Sequence, residues 1–258
     1  MHLNSFLIFL FLFSLNSHAK AWRFCHEDQS YPPYIVSSNQ TTASSGLLID
    51  ILEQAASNAG IELYFTSLPW KRCQQGVKDG LYDGLFAMIK TPQREIEFVY
   101  PKNEQHYLNE VEYVILYKKD SVLHRAEQAG KLFNNHGEFN LAFYNEIKQF
   151  GLQAPAGYVL QQFLSQNGIA SLIDYDLSLG IYQIAIDRLD GYLVERRIGL
   201  ARVDELKQQD NVISSKGVIK RTFWYLPFNR NFYHKNQVDV ERLWHNVRLA
   251  RQQILENK

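Results

Sequence analysis

The chain has 258 residues, with 27 basic and 27 acidic side chains and a formal net charge of zero. That length allows one large domain or two modest lobes with real cores. The balanced charge excludes the electrostatic footprint of a nucleic-acid or anionic-membrane binder. Aromatic residues make up 14% of the chain, and its 14 glycines and 7 prolines are ordinary, as in an ordered globular protein.

The first stretch, MHLNSFLIFLFLFSLNSHAKA, carries an unbroken apolar run from Phe6 to Phe13. The run is too short to span a bilayer and suits the apolar segment of a secretory signal peptide. Two small-x-small cleavage sites follow, Ser17-His18-Ala19 and Ala19-Lys20-Ala21. The segment before the run has His2 but no Lys or Arg, which is atypical. A buried N-terminal helix is the alternative, and Asn4, Ser5, Asn16 and His18 fit it badly. Residues 1–21 are therefore expected to be a leader. No cysteine beside the cleavage sites suggests a lipid anchor, so the mature chain is expected free in a bacterial periplasm. That compartment permits Cys25 and Cys73 to pair; the alternative is two buried free thiols. Neither lies in a CxxC motif, so a structural role is expected.

Trp22–His26 reads as a short strand leading into the loop EDQSYPPY, residues 27–34. Leu47, Leu48, Ile51, Leu52, Ala55, Ala56 and Ala59 recur at helical spacing between Gly46 and Gly60. Ile61–Thr66 alternates as a strand. Pro69 precedes a helix with Trp70, Cys73 and Val77 on its apolar face, stopped at Gly80. Leu85–Ile89 is a continuous apolar run suited to one buried parallel strand. The order strand, helix, strand, helix, strand predicts a parallel βαβ sheet.

Thr91-Pro92 then reads as a helix cap and first helical residue. Arg94 falls in that first turn, where the free amides and helix dipole favour a carboxylate. A breach of local chemistry of this kind points to a functional position; the alternative is a surface ion pair with Glu95 or Glu97. Lys90 reads as a solvated lysine, or as a second cation facing an anion. Farther on, Val111–Tyr117 is a strand, Phe139–Tyr144 begins a second lobe, and Gly157 precedes a helix over Tyr158–Ser165. Leu179–Arg188 is a helix and Gly191–Val194 a strand. "YDGLFA" (Tyr82–Ala87) and "LDGYLV" (Leu189–Val194) both set Asp-Gly between a helix end and a short buried strand. Asp83 and Asp190 are expected to brace those strand starts. An amphipathic helix over Val238–Leu255 closes the chain. Val111–Tyr117 and Val218–Leu226 are the candidate hinge strands.

No HExxH, GxSxG, GxxxxGK[ST] or GxGxxG pattern occurs, and the eight histidines are scattered. No cofactor or metal site is implied, and the absence of a catalytic pattern favours a binding protein.

The ordered series "YPPY", "GLLIDILEQAASNAGIEL", "LPWKRC", "DGLYDGLFAMIKTPQREIEFVYP" and "LDGYLVE" resembles family 3 of the bacterial extracellular solute-binding proteins. The resemblance implies an α/β, type II periplasmic-binding-protein fold, each lobe a mixed sheet flanked by helices, joined by two hinge strands. Lobe 1 would take residues 22–113 and, after lobe 2 at 114–220, the returning segment 221–258. Ligand would lie between the lobes. The family pattern makes Arg94 the grip on a ligand carboxylate, a task that suits a planar, permanently charged guanidinium. It makes Glu195 the acid that holds the ligand ammonium, although Glu is longer than the family's usual Asp. The alternative for Glu195 is a salt bridge to Arg196 or Arg197.

Tyr31 and Trp70 would form aromatic walls or else belong to the core. Asp28 falls where some relatives touch ligand, and Gly157 and Tyr158 would offer helix amides to its carboxylate. The stretch Ala87-Met88-Ile89-Lys90 departs from the pattern, having no Ser or Thr; backbone carbonyls of Ala87 and Ile89 would then serve, or the ligand is not a standard α-amino acid. The resemblance implies a monomer that passes a small amino-acid-like ligand to an ABC permease or a sensor protein, without catalysis. The alternatives are a cyclohexadienyl dehydratase-like lyase on the same scaffold and a sensory receptor.

Overall fold

The computed structural model describes residues 20–39 and 42–256, so the expected leader run Phe6–Phe13 lies outside the described residues. Two lobes are each built on a mixed sheet flanked by helices. The first begins with β1 (Lys20–Glu27), the short pair β2 (Val36–Asn39) and β3 (Thr42–Ser45), α1 (Leu47–Ala59), β4 (Ile61–Leu68) and α2 (Trp70–Lys78). Then come β5 (Gly84–Leu85), β6 (Met88–Ile89), α3 (Pro92–Glu97) and β7 (Phe98–Val99). β8 (Asn109–Lys118) carries the chain into the second lobe. There follow α4 (Val122–Gln128), α5 (Leu141–Ile147), β9 (Leu152–Gln153), α6 (Val159–Gln166) and α7 (Leu177–Ala185). β10 (Gly191–Glu195), α8 (Arg196–Glu205) and β11 (Val212–Ser214) complete it. β12 (Lys220–Tyr225) returns, followed by β13 (Phe228–Asn229) and α9 (Arg230–Glu256).

The first sheet runs β4-β1-β5-β13-β7 and the second β6-β12-β8-β10-β9, with β11 also on β8. β1 lies parallel to β4 and β5, so the carboxyl ends of these strands share one edge. Open α/β sheets place ligands beyond that edge. β8 and β12 run antiparallel between the lobes, in register from Lys220–Tyr113 to Trp224–Asn109.

α1 forms where the apolar spacing predicts it and buries that face against α9. Its stop is Gly60, at φ 69°, a left-handed conformation that glycine adopts without a Cβ penalty. Beneath it, Phe228 meets Trp22, Phe24 and Trp244 edge-on, with ring centroids 5.6, 5.4 and 5.5 Å away. Such pairs add roughly 0.5–1.5 kcal/mol each beyond burial.

The Asp-Gly echo has a common physical basis. Asp83 accepts from the Arg23 amide at 2.7 Å, and Asp190 accepts from the amides of Gln149, Phe150 and Gly151 at 3.0 Å. A Cβ on Gly84 would stand 2.6 Å from the Phe24 ring, and one on Gly191 2.6 Å from Ile115. In both lobes the acid anchors a neighbouring loop or strand and the glycine admits a side chain against the backbone.

Three elements differ from expectation. The run Leu85–Ile89 is not one strand: β5 joins the first sheet and β6 the second, with Ala87 turned to φ 63° between them. Continuous hydrophobicity here serves two cores at a lobe junction. α7 starts earlier, because Asp176 caps it through the Leu179 amide at 2.8 Å, and it ends at Ala185. The final helix begins at Arg230, ahead of the expected Val238, with a break in helical geometry at Asn236.

Cys25 on β1 and Cys73 on α2 form a disulfide with a Cα–Cα distance of 5.6 Å. Their sequence separation of 48 makes the bond worth about 4 kcal/mol in the chain-entropy description. A C25A/C73A variant is expected to lose up to about that amount in urea unfolding. An unchanged unfolding midpoint would show that the cross-link adds nothing to stability.

Candidate functional site

Thr91 and Pro92 start α3 as predicted, the Thr91 hydroxyl accepting from the Arg94 amide at 3.3 Å. The Arg94 side chain leaves this short helix for the space between the lobes. Its Nη1 donates to the Ile89 carbonyl at 3.0 Å, and its Nη2 reaches the Gly157 carbonyl of the second lobe at 3.4 Å. The nearby acids are engaged elsewhere, Glu95 with Lys90 at 3.0 Å and Glu97 with Lys78 at 2.8 Å. Among the described residues, Arg94 has no carboxylate within ion-pair distance. Burial is the main influence on the guanidinium and pulls its pKa below the usual arginine value. A largely desolvated cation thus rests on carbonyl dipoles alone, with donors to spare.

Arg94 lines a narrow inner chamber, about 550 Å³ including the solvent space at its opening, with His26, Trp70, Phe86, Tyr113 and Trp224. A wider outer chamber, about 1090 Å³ including its mouth, reaches Asp28, Asp174 and Glu195. Glu27, Tyr31, Trp70 and Tyr158 line both. Two acids bridge the lobes. The Tyr158 hydroxyl donates to the Glu27 carboxylate, and the Tyr34 hydroxyl donates to Glu195 Oε1 at 3.0 Å. Trp70 and Tyr158 also meet across the cleft, ring centroids 6.3 Å apart.

A family model for the bacterial extracellular solute-binding proteins, family 3, matches residues 25–243. The chain belongs to that family. Similar solved structures include a mutant of ArgBP from T. maritima, at 13% identity and TM-score 0.65, covering 92% of this chain and 90% of that one. A histidine kinase sensor domain with similarity to periplasmic binding proteins matches at 14% identity and TM-score 0.69, covering 91% of each chain. An ABC uptake transporter substrate-binding protein from Streptococcus pneumoniae with bound histidine matches at 12% identity and TM-score 0.64, covering 92% of this chain and 87% of that one. These likenesses share the two-lobed α/β fold. No curated protein matches the chain.

Within this family member, the residues singled out from sequence fall as follows. Tyr31, Trp70 and Tyr158 line the cleft on both levels, Ala87 and Ile89 the inner chamber, and Asp28 and Glu195 the outer one. Glu195 is only 3% exposed, and burial raises its pKa above the ordinary carboxylate value. Its Oε2 accepts from the Ile198 amide at 2.9 Å, capping α8, while Arg196 pairs with Glu112 at 3.2 Å instead.

Several expected contacts are already taken within the chain. The Ile89 carbonyl accepts from Arg94 and from the Tyr100 hydroxyl at 3.2 Å, so it has no lone pair left for a ligand. The Gly157 amide donates to Gln161 Oε1 at 2.7 Å and the Tyr158 amide to the Pro155 carbonyl at 3.1 Å, so neither is a free helix amide. Gly157 contributes its carbonyl, and Tyr158 its ring and hydroxyl. Lys90 is ion-paired with Glu95 at 3.0 Å and does not line either chamber. Sequence reasoning missed His26, Glu27, Tyr34, Phe86, Tyr113 and Trp224. For His26 and Glu27 a signal existed: they end the first strand, where a parallel sheet presents its ligand edge.

Burial pushes the Glu27 pKa from 4.5 up to about 7, against lowering hydrogen bonds from Tyr158 and Tyr31, and the Asp28 charge adds to the rise. The folded chain therefore holds the Glu27 proton more tightly than the unfolded chain does. Stability from this residue is fully present below pH 4.5 and is lost as pH rises through about 7. The loss amounts to at most about 3 kcal/mol. In E27Q that loss is absent, so the stability of the unliganded variant relative to wild type is expected to grow between pH 5 and 8. Urea unfolding at the two pH values reads the difference; a constant offset would show that Glu27 is not burdened by burial.

Proposed function

We propose that this chain is a periplasmic receptor that closes around a small zwitterionic, amino-acid-like solute and delivers it to an ABC-type permease. One observation carries the reading: Arg94, desolvated in the inter-lobe cleft, has carbonyl partners but no carboxylate. An incoming carboxylate supplies the missing counter-charge through two parallel N–H···O bonds. Glu195, on the second lobe, has one oxygen on Tyr34 and one on the α8 amide, with lone pairs left for an ammonium. A zwitterion bridging the two gains more in the closed state than in the open one, which is what a closure equilibrium requires.

A first lobe drawn from both ends of the chain (22–113 and 221–258) around a second at 114–220 is supported by the first sheet, which takes β1, β4, β5 and β7 with the returning β13. β8 and β12, which pair with each other in the second sheet, β12 also with β6, are the proposed hinges. The family consists mostly of non-enzymatic binding proteins, with enzymes on the same scaffold; turnover of prephenate or arogenate by the purified protein would overturn the binding role.

A thermal-shift screen of amino acids, amines and organic acids on the mature protein is the test, because ligand binding only the native state raises its melting temperature. R94A is expected to keep its fold and lose the shift, the unpaired carboxylate costing roughly 3–5 kcal/mol of binding. An unchanged shift in R94A would remove the carboxylate role.

The proposed secretion has its own test. Lys20, in β1, pairs with Ile61 through the backbone and with Asp239 through its ammonium. Cleavage after Ala19 retains Lys20 and Ala21, which pair with Ile61 and Glu62, whereas cleavage after Ala21 removes both. Mass spectrometry of the protein released from the periplasm is expected to find Lys20 at the N-terminus, and a start at Trp22 would contradict that assignment.

A further inference from the structure

The lobes meet through the chain's own groups, and two of the joints end on an acid. Tyr158 of the second lobe donates its hydroxyl to the Glu27 carboxylate of the first, and Tyr34 of the first donates to Glu195 of the second. Beside Tyr158, Gly157 lies against Lys71 across the cleft, where a Cβ would stand 3.2 Å from the lysine Cγ. The outer chamber sets like charges face to face. Glu27 and Asp28 line it from the first lobe, and Asp174, Asp176 and Glu195 from the second. Among the described residues that line it, Lys71 is the one cation. Carboxylates facing each other in a space with little water repel, and each is poorly solvated.

The two joints differ in how they treat charge. Glu195 accepts from the Ile198 amide and lies near Arg197, both of which support its ionised form. Glu27 has tyrosine hydroxyls only, with Asp28 next to it. Arg94 lines the inner chamber with it but rests on the Ile89 and Gly157 carbonyls, and neither Arg94 nor Lys71 is ion-paired to it. Burial raises the pKa values of Tyr31, Tyr113, Tyr158 and Tyr192 around it, so these hydroxyls keep their protons. Burial also lowers that of His26, favouring the neutral ring.

We propose that Glu27 is a proton-controlled latch between the lobes: protonated, it lets Tyr158 and the facing acids come together, and ionised, it drives the lobes apart. Opening returns the carboxylate to water and its ordinary value of 4.5, whereas the closed cleft raises it to about 7. The closed form therefore binds this proton more tightly than the open form. Its contribution to closure is fully present below pH 4.5 and is lost as pH rises through about 7. Acid shifts the receptor toward closure before any solute binds. The inference needs lobes that open about β8 and β12, and does not depend on which solute the cleft takes.

Single-molecule energy transfer on the ligand-free mature protein tests it, with dyes on E53C in the first lobe and Q166C in the second, both exposed positions. The closed-to-open ratio is expected to fall at least about tenfold from pH 5 to pH 8. E27Q, which cannot ionise, is expected to hold the ratio within about threefold over that range, while E195Q retains the wild-type fall. Y158F, which lacks the hydroxyl, is expected to lower the closed fraction at pH 5. A wild-type ratio that does not move with pH overturns the latch. A full fall in E27Q, or one abolished by E195Q instead, overturns the assignment to Glu27. An unchanged closed fraction in Y158F overturns the role of its hydroxyl.

Discussion

The structure turns on a guanidinium held by carbonyl oxygens where a carboxylate is wanted. Arg94 is desolvated, and the chain gives it the dipoles of Ile89 and Gly157 but spends Glu95 and Glu97 on lysines. Carbonyls partly offset the cost of removing a cation from water; an ion pair in a closed site offsets far more. Because Ile89 belongs to the first lobe's junction and Gly157 to the second lobe, the same cation senses how far apart the lobes stand. In the proposed reading, a ligand anion would add to a contact that already spans the cleft.

The rest of the framework serves to hold the walls opposite this charge. The disulfide ties α2 to β1, so the helix that begins with Trp70 cannot drift from the strand that ends with His26 and Glu27. Ala87, at φ 63°, breaks the apolar run and lets one segment leave the first sheet and enter the second beside β12. This break brings Ile89 beneath the guanidinium. Across the cleft, the Tyr34–Glu195 and Tyr158–Glu27 contacts join the lobes through a buried acid and a half-buried one, and loss of water favours the neutral form of each. In the proposed receptor role, a ligand that brings its own charge would remodel such contacts on binding and restore them on release.

Much of the architecture was legible because it is locally encoded. Gly60 stops α1, Thr91-Pro92 starts α3, and the two Asp-Gly steps mark strand starts in both lobes; each is a short-range rule that tertiary structure had no reason to override. Arg94 was legible because it broke such a rule. The failures have the opposite character. Leu85–Ile89 looks like one strand because hydrophobicity reports burial and not the sheet in which a residue is buried. The amides of Gly157 and Tyr158 look free because Gln161 and Pro155, which satisfy them, are joined to them only by a fold-dependent turn. Glu27 and His26 carry no motif; their meaning arises from lying at the end of β1 and beneath aromatic residues drawn from distant segments.

The most direct test of the central claim is a crystal structure of the mature protein with its solute bound. A ligand carboxylate within about 3 Å of the Arg94 guanidinium, enclosed by both lobes, is the predicted result. A solute seated elsewhere, with Arg94 still resting only on the carbonyls of Ile89 and Gly157, would contradict the account.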